Sequence, residues 1–75
     1  MQELIEFIVK SIVNDKDAVS VEKVEENKFS LYNVTVSQAD IGQVIGKGGK
    51  IAEAIRTIVK SASSHERLRV KFNAK

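Results

Sequence analysis

The sequence predicts an α+β fold: a three-stranded mixed sheet with helices packed on one face, in the order α-β-β-α-α-β. Three observations carry that prediction. Apolar residues recur at helical spacing over residues 3–13, over 41–45 and over 50–62. Apolar residues alternate with polar ones, as strands require, from residue 19, within 29–36 and over 67–72. The 75 residues contain no repeat, linker or low-complexity segment, so residues 1–75 are expected to form one small domain.

The first helix is expected over residues 3–13. Leu4, Ile5, Ile8, Ile12 and Val13 make one stripe, and Phe7 and Val9 widen it. Glu3 and Glu6 near its start suit the helix dipole. Asn14-Asp15-Lys16-Asp17 ends it. Val19-Ser20-Val21 opens a strand that runs on through Val24, and Glu25-Glu26-Asn27-Lys28 makes a hairpin turn. The second strand covers residues 29–36. Tyr32, Val34 and Val36 share one face, whereas Phe29 and Leu31 fall on the other. That phase change fits either a bulge or a strand apolar on both sides. Ser37-Gln38-Ala39-Asp40 has the form of a capping box with Asp in place of Glu, and it starts a short helix. A glycine-rich turn then leads into the helix over residues 50–62, which Ser63-Ser64-His65-Glu66 breaks. In the last strand, Leu68, Val70 and Phe72 face inward, and Arg67, Arg69 and Lys71 face out.

The glycine-rich turn carries the chemistry. Gly46, Gly48 and Gly49 fall within four residues, with Lys47 among them and Lys50 just after. Without Cβ atoms, the backbone there can approach a bulky anion. The following helix offers unpaired N–H groups and the positive end of its dipole. The site these residues describe is a phosphate contact, with the N–H groups around Gly48 to Lys50 as donors. It is not a Walker A loop. Only three residues separate Gly42 from Gly46-Lys47, and a helix precedes the turn where a strand is needed. It is not a dinucleotide fingerprint either, because Ile51 stands where the third glycine belongs. The remaining candidate is a helix–GXXG–helix unit, which clamps nucleic-acid backbone.

Charge agrees with a polyanion partner. Residues 1–41 carry four Lys against eight Asp/Glu, whereas residues 42–75 carry eight Lys/Arg against two Glu. Enzyme readings find little support. The chain has no Cys and one His, His65, expected in an exposed turn, with no metal-ligand cluster and no nucleophile constellation. No catalytic residue, metal or cofactor is expected. No apolar run approaches the roughly 20 residues of a membrane span. Met1-Gln2-Glu3 is acidic and opens directly into a helix, unlike a signal peptide, so a cytoplasmic protein is expected.

The run Ile41-Gly42-Gln43-Val44-Ile45-Gly46-Lys47-Gly48-Gly49-Lys50-Ile51 closely resembles the KH-domain signature. The element order resembles the type II KH arrangement over the whole chain. The N-terminal Glu-Leu-Ile-Glu-Phe-Ile-Val-Lys run and the later Ala-Ile-Arg-Thr-Ile-Val-Lys helix resemble the small stand-alone bacterial KH proteins of the KhpA (YlqC) type. The chain departs from those relatives in having no proline at Asn14-Asp15-Lys16-Asp17 and in having Ser37-Gln38 where Ala/Asp-Pro is frequent; neither touches the loop. The resemblance implies binding of single-stranded RNA. Gly46, Lys47, Gly48, Gly49 and Lys50 would hold the backbone, and Ile41, Val44, Ile45 and Ile51 would form an aliphatic floor for the bases. It also implies RNA chaperoning or post-transcriptional regulation in cell elongation and division. The partners it implies are a second copy of the chain or a KhpB/Jag (EloR)-type KH protein. Arg56, Arg67, Arg69 and Lys71 could extend the basic path, though solvated surface cations explain them as well. The other class of reading is a protein-interaction module with little RNA binding of its own.

Association is also expected from the long helix. At about 100° per residue, Ile51, Ile55, Ile58, Val59 and Ala62, with Ala52 and Ala54 at the edges, span an arc of roughly 160°. A helix lying on a sheet uses a stripe of about 100° or somewhat more. The surplus suggests a dimer, homomeric or with another KH protein, packed through Ala54, Ile58 and Ala62, with Ile58 near its centre; the other role open to Ile58 is intramolecular core in a monomer.

Overall fold

The computed structural model describes residues 1–63 and 67–75. The predicted helix break at residues 64–66, with His65, lies outside the described residues. The order is α1 (Gln2–Lys10), β1 (Ser20–Glu25), β2 (Ser30–Val36), α2 (Ile41–Ile45), α3 (Lys50–Ala62) and β3 (Leu68–Ala74). The sheet runs β1-β2-β3, with β2 antiparallel to β1 and parallel to β3. The α+β class, the element order and the mixed sheet are as the sequence predicts.

Alternation in the strands sorts the side chains between two faces. Val21, Tyr32, Val34, Val36, Leu68 and Val70 point to one face and are buried there. Ile5 and Val9 of α1, Val44 of α2, and Ile55 and Val59 of α3 close the core from above. Each such aliphatic side chain contributes about 1.5–3 kcal/mol by leaving water. Phe29, Leu31, Arg67, Arg69 and Lys71 belong to the other sheet face, which none of the described helices covers. The register from Ser20↔Thr35 to Glu25↔Ser30 is unbroken, so the phase change at Phe29 and Leu31 is not a bulge. It marks a strand with apolar residues on both faces.

Two expectations need correction. The first helix is assigned only to Lys10, although Val13 N–H still donates to Val9 O at 3.1 Å; the final turn tightens rather than continuing. Phe7 does not widen the buried stripe but stands 71% exposed. The second correction concerns the capping box. Residues 38–40 form a turn, α2 begins at Ile41, and no side chain caps it. Asp40 is instead a buried brace. Its carboxylate accepts the N–H groups of Asn14 at 3.2 Å and Asp15 at 3.0 Å, and the Ser37 hydroxyl at 3.1 Å. This fixes the α1–β1 connection against the start of α2, the helix that leads into the glycine loop.

Candidate nucleic-acid interface

The loop between α2 and α3 takes its shape from its glycines. Gly46 ends α2 at φ 76°, and Gly49 caps α3 at φ 77°, so both occupy the left-handed region that side chains disfavour. At Gly46 there is also no room. A Cβ there would sit 2.6 Å from Cγ1 of Ile51, so Ile51 folds back across the loop. Gly48, at φ 65°, and Gly49 have nothing within 4 Å of a Cβ position and face open space. A single 3-10 turn, Lys47–Gly49, forms the apex.

The donors differ from the expectation. Gly49 N–H donates to Gly46 O at 3.2 Å, and Lys50 N–H to Lys47 O, so the turn consumes both. Among the described residues, no turn or loop hydrogen bond takes the N–H of Lys47 or Gly48. The open donors therefore lie at the apex, one residue earlier than the sequence suggested. The exposed Lys47 and Lys50 side chains flank them. An anion placed here meets backbone N–H groups, two ammonium groups and the N-terminus of a 13-residue helix.

The four proposed floor residues do not stand alike. Ile41 and Ile45 are half-buried and Ile51 is 37% exposed, but Val44 is fully buried and packs in the core. Val44 supports the floor from beneath and presents no surface to a base.

Residues 2–73 match the family described as KhpA/KhpB, KH domain. The chain belongs to that family. The "RNA-binding protein KhpA" of Borreliella burgdorferi is 44% identical over 93% of this chain and 85% of its own length. The protein of that name from Caldanaerobacter subterraneus is 43% identical, covering 93% of each chain. That from Chlamydia trachomatis is 36% identical over 93% of this chain and 90% of its own.

In this KH domain the basic residues beyond the loop fall into separate environments. Arg56 is tied to the sheet edge. Its Nε donates to Val70 O at 3.1 Å, and its guanidinium lies 5.4 Å from the Phe72 ring centroid. The guanidinium of Arg69 lies 4.9 Å from the Phe29 centroid on the open sheet face. Arg67 and Lys71 are exposed on that same face. The apolar arc of α3 splits lengthwise. Ala52, Ile55 and Val59 are buried, whereas Ile58 is 49% exposed and Ile51, Ala54 and Ala62 are exposed beside it. Ile51 thus belongs both to the loop and to the uncovered half of α3.

Asp40, the residue before α2, is the one that sequence reasoning misread. The N–H of Asp15 lowers its carboxyl pKa first; burial pushes it back up; the N–H of Asn14, the Ser37 hydroxyl and the Lys16 ammonium lower it further. The net position is below the ordinary carboxylate value. Its only signal in the sequence is the Ser37–Asp40 spacing, which reads equally as a helix cap.

Proposed function

We propose that this chain binds single-stranded RNA, with residues 46–49 holding the backbone of about four unpaired nucleotides. The observation that carries this reading is the loop apex. There the N–H groups of Lys47 and Gly48 are open, no Cβ blocks Gly48 or Gly49, and two lysines and a helix N-terminus add positive charge. The relatives' name, RNA-binding protein, points the same way. Ile41, Ile45 and Ile51 offer an aliphatic surface for bases, held up by Val44. Flat bases accept such a floor by van der Waals contact, without the aromatic platforms of other single-strand binders. The chain acts as a binding module rather than an enzyme, in the cytoplasm. Its role is RNA chaperoning or post-transcriptional regulation with a KhpB/Jag-type partner, in cell elongation and division; this part rests on family resemblance alone.

The test is Lys47→Asp with Gly48→Asp. Gly48 has free space around its Cβ position, and Asp is among the residues that tolerate a positive φ. The double variant is expected to keep its helical circular dichroism and lose binding to a short single-stranded RNA. Full retention of affinity in the folded variant would end the clamp reading.

A second reading draws on the uncovered half of α3. Ile58 at 49% exposure is not intramolecular core. Small alanines on either side permit close approach of another helix. We infer a dimer, homomeric or with another KH protein, packed through Ala54, Ile58 and Ala62. A pure scaffold of this kind would dimerise and show no salt-dependent shift on single-stranded RNA.

A further inference from the structure

A second group of cations lies at the opposite end of α3 from the glycine loop. Lys28, Lys60, Arg67 and Arg69 line a concavity of about 550 Å³, together with Phe29 and Ser63. No acidic side chain lines it among the described residues. The ion pairs formed among the described residues, Glu6–Lys10 and Lys23–Glu25, use none of these four cations. Lys60, in the last turn, also suits the negative end of the helix, but it does not cap that end. Ser63 caps it with its N–H at 3.2 Å and its hydroxyl at 3.1 Å from Val59 O. Among the described residues these four cations have no carboxylate partner; sharing one concavity they repel one another, an arrangement that an anion relieves. Phe29, under the Arg69 guanidinium at 4.9 Å, gives the concavity a flat apolar and cationic wall suited to a nucleotide.

We propose that this concavity is a second phosphodiester site, which takes the part of a longer RNA strand that lies beyond the glycine clamp. The proposal rests on the clamp reading. The 13 residues of α3 put about 20 Å between the two sites. At 3.4 Å per phosphate along one strand, that distance is at most about six nucleotides. A strand of about four nucleotides reaches one site, and one of about twelve reaches both. Arg56 lies between them on α3, where a smaller cleft lined by Arg56 and Val70 shares Lys60, Leu68 and Arg69 with the concavity.

The test compares the two strand lengths by fluorescence anisotropy, using unstructured RNA oligonucleotides of about four and about twelve nucleotides. The proteins are wild type and the double variant Lys28→Glu with Arg67→Glu. Both positions are exposed, and melting followed by circular dichroism confirms the fold. Wild type is expected to bind the longer strand at least roughly tenfold more tightly, because the second contact is made intramolecularly. The variant is expected to lose that gain and to show a shallower slope of log K against log salt, by about 1.4 for two phosphates. Its affinity for the short strand is expected to stay unchanged, because about 20 Å is more than two Debye lengths at 0.15 M salt. Equal long-strand affinity in the folded variant and wild type overturns the proposal and leaves the clamp standing. It is also the result expected if the concavity serves an acidic protein instead. Equal loss on both strands overturns it too, because the patch would then not be separate from the clamp. No binding of either strand by wild type removes the clamp reading and this proposal together.

Discussion

Gly42 and Gly46 lie four residues apart in the same segment and answer to different constraints. Gly46 needs both its positive φ and the absence of a Cβ, since Ile51 occupies that space. Gly46→Ala is expected to cost about 1–2 kcal/mol for the left-handed backbone and about 1–3 kcal/mol for the clash, seen as a fall in the urea midpoint. Gly42 has nothing near a Cβ position, no positive φ and a place in α2. Gly42→Ala is expected to stabilise by about 0.5–1 kcal/mol, through helix propensity alone. Equal effects of the two substitutions would contradict the packing of Ile51 against the loop. Asp40 makes a pH prediction. Its folded pKa is depressed, so it stabilises the fold above the unfolded value of about 3.9. That contribution is lost as pH falls through the folded value. Asp40→Asn removes the charge that accepts two backbone N–H groups. The variant is expected to melt lower than wild type at pH 7, with the gap closing as pH falls below about 3.9 and through the folded value; a gap independent of pH would assign the effect to shape rather than charge. None of this is visible in a motif, because Asp40 meets partners about 25 residues earlier in the chain.

At the scale of elements, α3 holds two functions on one cylinder. One side seals the core with Ile55 and Val59, and the adjoining side leaves Ile58 and Ile51 in solvent. Ile58→Asp is therefore expected to fold with wild-type helicity and to scatter light as a monomer, while wild type scatters as a dimer at high micromolar concentration. Wild type found monomeric there would remove the homodimer and leave only a heteromeric partner to test. An unfolded variant would contradict the 49% exposure of Ile58. The helix was legible in the sequence to within a residue, because a strong 3.6-residue period runs unbroken from Lys50 to Ala62. The strands were legible from alternation, and Leu68 and Val70 face inward as expected. The short helix before the loop was legible, but its start was not. A Ser-x-x-Asp spacing looks the same whether the carboxylate caps its own helix or reaches across the fold. Phe7 was misplaced for a related reason: an apolar arc wider than its contact leaves one edge outside, and periodicity does not say which edge.

Across the whole molecule, charge is divided in sequence between an acidic first half and a basic second half. If Lys47, Lys50 and one further cation meet phosphates of a short strand, the slope of log K against log salt is expected near −2, at about −0.7 per phosphate. A slope near zero would point to apolar contact or none. The phosphate reading of the loop was legible from residue types and spacing. Which N–H groups remain open was not, since that depends on how the 3-10 turn closes on itself. The mixed sheet sets a schedule for folding. β2 meets β1 across a hairpin whose turn closes with Glu26 N–H on Phe29 O, a local event on the microsecond scale. Its pairing with β3 is parallel and must wait until α2, the glycine loop and α3 have brought residue 68 back beside residue 30. The loop that offers its backbone to phosphate is thus also the hinge of the slow, non-local closure. Substitutions that stiffen or strain it should change the refolding rate as well as the affinity.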